Sequence, residues 1–160
     1  MTARAAGDAD ATPGPAPDDR PKLLRHVASV THAVPDLDPV VAAWRQYLDY
    51  RIVAAGRVGD DLAAAWGAPG SAGRRMATLA PASGQDTWLR FVETDDAPGH
   101  GPPLTQGWTA TELLVQDVDD LARSFRGSPF TIIGGPGDLF ARPRAPRAMQ
   151  ARGPAGEIVY

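Results

Sequence analysis

The sequence predicts an α+β fold: two βαβββ modules forming a curved mixed sheet, a half-barrel, around a pocket, with the helices outside. Three observations predict it. First, a strand–helix–strand unit occurs twice: Asp36-Leu37-Asp38 returns as Asp117-Val118-Asp119, 81 residues on, and Trp44 falls on Phe125 at the same offset. Tyr50-Arg51-Ile52-Val53 returns as Phe130-Thr131-Ile132-Ile133 at an offset of 80. Repetition on this scale means one supersecondary unit built twice. Second, each copy passes from alternating residues into a capped helical start. Third, each half closes with two strand-like runs joined by a Gly- or Pro-marked turn.

Before the first module, residues 1–22 hold four prolines and no Leu, Ile, Val or aromatic residue. Such a segment cannot bury enough apolar surface to offset its ordering entropy, so a disordered tail is expected, with the folded domain over 23–160. The modules are expected at about 25–95 and 106–160. Ser29–Val34 alternates with period two and reads as the first strand. Pro35-Asp36-Leu37-Asp38-Pro39 reads as a turn and helix start, with Asp38 as N-cap and Pro39 at the first helical position. Val41, Trp44 and Leu48 then recur at helical spacing. Tyr50–Val53 is the second strand. Residues 56–75 are irregular, with a short helix expected over Asp60–Trp66, before strands over Arg75–Leu79 and Thr87–Glu93. Residues 94–107, rich in Pro and Gly, read as a linker.

In the second module Thr109–Val115 is the expected strand. Val118, Leu121 and Phe125 form a short apolar helix face, and Phe130–Ile133 is the next strand. A loop is expected over Gly134–Pro146, then strands over Ala148–Arg152 and Glu157–Tyr160, joined by Gly153-Pro154-Ala155-Gly156.

Composition narrows the function. With 160 residues, 43% of them hydrophobic, the chain can form one domain with a proper core. A net charge of −3 argues against nucleic acid or an anionic membrane as partner. No apolar run reaches the length of a membrane-spanning helix, and no signal-peptide pattern opens the chain, so the cytoplasm is the default location. Zero cysteines exclude disulfides, thiolate nucleophiles and zinc–sulfur sites.

Val34-Pro35-Asp36-Leu37-Asp38, the helix carrying Trp44 and Tyr47, and Leu48-Asp49-Tyr50-Arg51-Ile52-Val53 resemble the opening of the vicinal oxygen chelate superfamily. That superfamily includes glyoxalase I, bleomycin-resistance proteins, fosfomycin-modifying enzymes and extradiol dioxygenases. Val115–Asp119 resembles the start of its second module, and Gly153–Tyr160 its closing turn and strand. The resemblance covers residues 25–160 and implies a concave small-molecule pocket, not a reaction. Metal-using members take ligands from the first and fourth strands of each half. The resemblance puts Ser29, Arg90, Ala110 and Tyr160 at those positions. These cannot hold a divalent ion, and a guanidinium would oppose it, so neither metal nor other cofactor is expected.

Strand parity puts Ser29, Thr31 and Ala33 on the pocket side, with Val30, His32 and Val34 against the helix. His32 is therefore expected to be a packed histidine rather than a catalytic one. The candidate lining is Trp88, Arg90, Glu112 and Tyr160, with Thr31 beside them and Trp66, Trp108 and Gln150 reaching in from loops and the seventh strand. Glu112 admits two readings. An ion pair with Arg90 could close the pocket floor, or burial could raise its pKa into general-base range. The Arg142, Arg144 and Arg147 cluster reads as a solvated loop, or as a lid that recruits an anion.

Three functions follow. One is a binding protein that sequesters a small, partly aromatic or anionic compound. Another is a metal-independent lyase, isomerase or cyclase with Glu112 or Tyr160 as acid/base. The last is half of a larger multi-module protein. A homodimer or further modules are possible partners besides the ligand.

Overall fold

The computed structural model describes residues 26–95 and 108–160. The tail expected over 1–22 and most of the linker expected over 94–107 lie outside the described residues. The first module runs β1 (Ser29–Val34), α1 (Leu37–Tyr47), β2 (Tyr50–Arg57), α2 (Asp60–Ala65), a single 3₁₀ turn (Pro69–Ser71), β3 (Arg75–Pro81) and β4 (Trp88–Glu93). The second runs β5 (Ala110–Thr111), α3 (Val118–Ser124), β6 (Thr131–Asp138), β7 (Arg147–Arg152) and β8 (Ile158–Val159). Each forms a four-stranded mixed sheet, ordered β1-β4-β3-β2 and β5-β8-β7-β6, with the first strand parallel to the last. The repeat read in the sequence is thus a repeat of topology. No helix among the described residues is long and apolar enough to cross a membrane.

Both module helices begin on an aspartate. Asp36, in extended backbone, accepts from the amide of Asp38 at 3.1 Å, and Asp117 accepts from the amide of Asp120 at 2.8 Å. The cap of α1 is therefore Asp36, not the expected Asp38. Pro39 sits within the first turn, where a missing N–H removes no helical bond. Further on, α1 turns Leu37, Val40, Val41, Ala43 and Trp44 onto the sheet and buries all five.

The strands depart from expectation where a partner decides their length. β2 runs to Arg57 because β3 pairs with it over seven residue pairs, across an irregularity between Ile52 and Ala54. β6 continues through Gly134-Gly135-Pro136-Gly137, expected as a loop. Its register against β7 shifts on both sides of Gly134, a bulged pairing that glycine permits. Arg147, grouped with Arg142 and Arg144 as a solvated cluster, opens β7 instead. It bonds Asp119 bidentately at 2.9 Å and Asp138 at 2.9 Å, tying the start of α3 to the end of β6.

One apolar core serves both modules. It joins Leu37, Trp44, Leu79 and Phe91 of the first to Phe125, Phe130, Met149 and Val159 of the second. Trp44, fully buried, lies 5.3 Å from the Tyr50 ring and 5.4 Å from Phe91 in its own module, and 6.3 Å from Phe130 in the other. Burying a side chain of this size removes about 150–250 Å² from water, worth roughly 4–6 kcal/mol at most. α1 is thereby committed to both sheets.

Candidate functional site

Parallel pairing of β1 and β4 sets Thr31 opposite Arg90 and Ser29 opposite Trp88. Antiparallel pairing of β4 with β3 sets Thr78 on the other side of Arg90. Thr31, Arg90 and Thr78 therefore form a polar row across three strands, on the face opposite α1. Arg90 Nη1 donates to Thr31 Oγ1 at 3.4 Å, and the guanidinium carbon lies 5.2 Å from the centre of the Trp66 ring. Trp66 is placed there by α2, whose last turn packs it on Val58, Ala63 and Val92. Trp88, two residues before Arg90 on the same face, is 42% exposed. Arg90 is half-buried, and its Nε is shut off from solvent with no hydrogen-bond acceptor. No carboxylate of the described residues pairs with this cation.

Glu112 does not close the floor as expected. It is exposed and makes no ion pair with Arg90. The expected strand over Thr109–Val115 is also shorter. Backbone bonds from Tyr160 to Thr111 (3.1 Å) and from Leu113 to Tyr160 (2.9 Å) carry the β5–β8 ladder one step past Ala110–Ile158 and Thr111–Val159. That step brings Glu112 and Tyr160 side by side at the end of the ladder, both in solvent. A carboxylate there keeps its hydration, which removes the cost that was expected to demand an arginine. Both residues border a cavity of about 510 Å³ in the second module.

The remaining candidates scatter. Gln150 is half-buried in β7 and packs against Gly134 of β6, its Oε1 3.6 Å from where a Cβ would stand. Trp108 is wholly exposed. His32 points to the helix side, as parity predicts. It stacks on Phe91 at 5.4 Å, and its Nε2 lies 3.2 Å from Thr111 Oγ1. Burial holds its pKa below the ordinary 6.5. The structure thus brings Thr31, Arg90, Trp66 and Trp88 together and leaves Glu112, Tyr160, Gln150 and Trp108 outside that group.

Sequence reasoning missed Glu157. It is the one buried charged side chain among the described residues, at 8% exposure. Its Oε1 accepts from the Trp44 indole at 2.9 Å and its Oε2 from the Ala155 amide at 2.9 Å. Burial raises its pKa above the usual carboxylate value, and those bonds oppose the rise. Gly153 makes room for it, since a Cβ there would lie 2.0 Å from Oε1. Gly156 takes a left-handed φ of 85° that turns the chain back toward β8. The signal that could have found this group is the pair of glycines around it. With His32–Thr111, Trp44–Glu157 completes the side-chain hydrogen bonds that join the modules among the described residues.

No protein-family model matches this chain, and no curated protein matches it. Solved structures do match. A glyoxalase family protein from Bacillus cereus superposes with a TM-score of 0.65 at 16% identity, over 88% of this chain and 94% of that one. A variant of glyoxalase I from Zea mays gives 0.62 at 15% identity, over 83% of this chain but 42% of the maize protein. A variant of the genomically encoded fosfomycin resistance protein of Listeria monocytogenes, solved with Mn(II) and a dihydroxypropylphosphonic acid, gives 0.56 at 13% identity, over 86% and 90%. At these identities the likeness is one of fold.

Proposed function

We propose, from the premise that this chain carries the glyoxalase/bleomycin-resistance/dioxygenase fold, that it is a metal-independent small-molecule binding protein whose ligand is a small, partly aromatic anion held at Arg90. One observation carries the reading: a half-buried guanidinium with a dry, unbonded Nε and, among the described residues, no carboxylate beside it. A cation so placed is costly until an anion completes it. A carboxylate or phosphonate in the guanidinium plane would accept from Nε and a terminal nitrogen together. Thr31 fixes the arginine's orientation, and Trp66 and Trp88 offer rigid aromatic surface.

The donor set supports independence from metal. The positions that the fold resemblance assigns to ligands hold Ser29, Arg90, Ala110 and Tyr160, of which only the Ser and Tyr oxygens could ligate. Among the described residues no three His, Cys, Asp or Glu side chains gather within ligand reach of one another. These residues do not fit a divalent ion.

Titration with phenylphosphonate, followed by tryptophan fluorescence, tests the reading. Saturable quenching is expected, unchanged by prior treatment with a chelator. Arg90→Gln should weaken binding roughly 10- to 100-fold, as for loss of charge-assisted bonds. Equal binding by that variant, or loss of binding after chelation, would refute the proposal. A second reading, acid/base catalysis by Glu112 and Tyr160, rests on their adjacency at the end of β5 and β8. Turnover that vanishes in Glu112→Gln would favour it.

A further inference from the structure

The two sheets are roofed unequally. α1 has eleven residues and buries five of them, whereas α3 has seven and buries only Ala122, leaving Val118 and Leu121 half-buried. The missing cover appears as space. The cavity of about 510 Å³ lies between α3, the segment Leu113–Asp117 and strands β7 and β8. Its floor is Phe125, Met149, Ala151 and Val159, and Leu48 from the end of α1 closes one side. Thr31, Arg90, Trp66 and Trp88 are not part of it.

Its mouth is charged. Glu112 and Asp117 are exposed there, and neither pairs with a cation among the described residues. Asp119 beside them is neutralised by Arg147. An apolar floor under uncompensated carboxylates selects a ligand of the opposite charge. The volume falls in the range of roughly 300–1,000 Å³ typical of small-molecule sites, and cavities with apolar walls take apolar groups in preference to water.

We propose that this cavity is a second binding site, separate from the one at Arg90, for an amphiphilic cation. A compact apolar body sits on Phe125, Met149 and Val159, and its amine meets Glu112 and Asp117 at the mouth.

The test uses the full chain with methyl-labelled methionine, whose three signals belong to Met1, Met76 and Met149. Met149→Leu assigns the reporter. Adamantanamine, a cation at neutral pH, should shift the Met149 methyl saturably and leave Met76, in the other sheet, in place. Adamantane carboxylate, the same body with the opposite charge, should bind several-fold more weakly. Glu112→Gln and Asp117→Asn, the latter keeping a capping oxygen, should each weaken the amine by about two- to five-fold. Leu121→Trp should fill the space and abolish binding. If that variant fails to fold, the two polar variants decide the matter. The proposal is overturned by any of three results: no saturable Met149 shift, equal affinity for amine and carboxylate, or unchanged affinity in both polar variants.

Discussion

Replacing Glu157 with alanine probes the joint between the modules at its tightest point. The change orphans the indole N–H of Trp44, a residue with 0% exposure, and frees the amide of Ala155 in a half-buried turn that water can reach. A buried donor left without an acceptor costs about 1–3 kcal/mol, and a solvated amide far less. The opposing effect is relief of a desolvated charge. Glu157 has its folded pKa raised by burial, so its stabilising contribution is fully present below the unfolded value of 4.5 and is lost as pH rises through the folded value. Once ionised, the group therefore gives part of its hydrogen-bond gain back. The net expectation for Glu157→Ala at pH 7 is destabilisation by about 1–3 kcal/mol, roughly 3–10 °C in Tm for a domain of this size. Urea unfolding, followed by fluorescence, measures it. A cycle with Trp44→Phe, which removes the donor, separates the orphaned N–H from lost packing. The two changes should couple by at least about 1 kcal/mol. Strict additivity, or a Glu157→Ala variant within about 0.5 kcal/mol of wild type, would show that the bond contributes nothing and that the reasoning fails.

The other expectations rest on separate contacts. Gly153→Ala places a methyl 2.0 Å from Glu157 Oε1. It should destabilise the fold by about 3 kcal/mol, and adding Glu157→Ala should recover part of that loss in the same unfolding assay. His32 has its pKa lowered by burial, so its contribution is present above 6.5 and is lost as pH falls through the folded value. A pH series of melting temperatures should show this acid limb flattened in His32→Gln. Arg147→Ala removes two exposed ion pairs. It should cost no more than about 1 kcal/mol, and less in high salt, as comparison of unfolding at two ionic strengths would show.

What could be read in the sequence was local or periodic. The aspartates that open α1 and α3, the alternation that turns His32 toward the helix, and the return of Tyr50–Val53 as Phe130–Ile133 are visible within a few residues or as one fixed offset. The misreadings arose where distant partners decide. Asp38 and Asp36 are both reasonable caps, and only the backbone at Asp36 chooses between them. Gly134–Gly137 looks like a loop until β7 pairs with it. Glu112 looked buried because its neighbours Leu113, Leu114 and Val115 are apolar, yet the ladder ends beside it. Alternation puts Arg90 on the face opposite α1, but its neighbour there is Trp66, delivered by a short helix in an irregular stretch. Glu157 is marked locally only by the glycines that flank it, because the indole that holds it stands 113 residues away.

The shared core bears on how the chain folds. Trp44 touches Phe91 and Tyr50 on one side and Phe130 and Glu157 on the other. Neither copy of the repeat can complete its interior alone, so the halves behave as one cooperative unit. Long-range docking of the second copy onto α1 is then expected to enter the rate-limiting search, so that folding is slower than the small size of each repeat would suggest. The two halves share a topology, and the indole between them gives them a common interior.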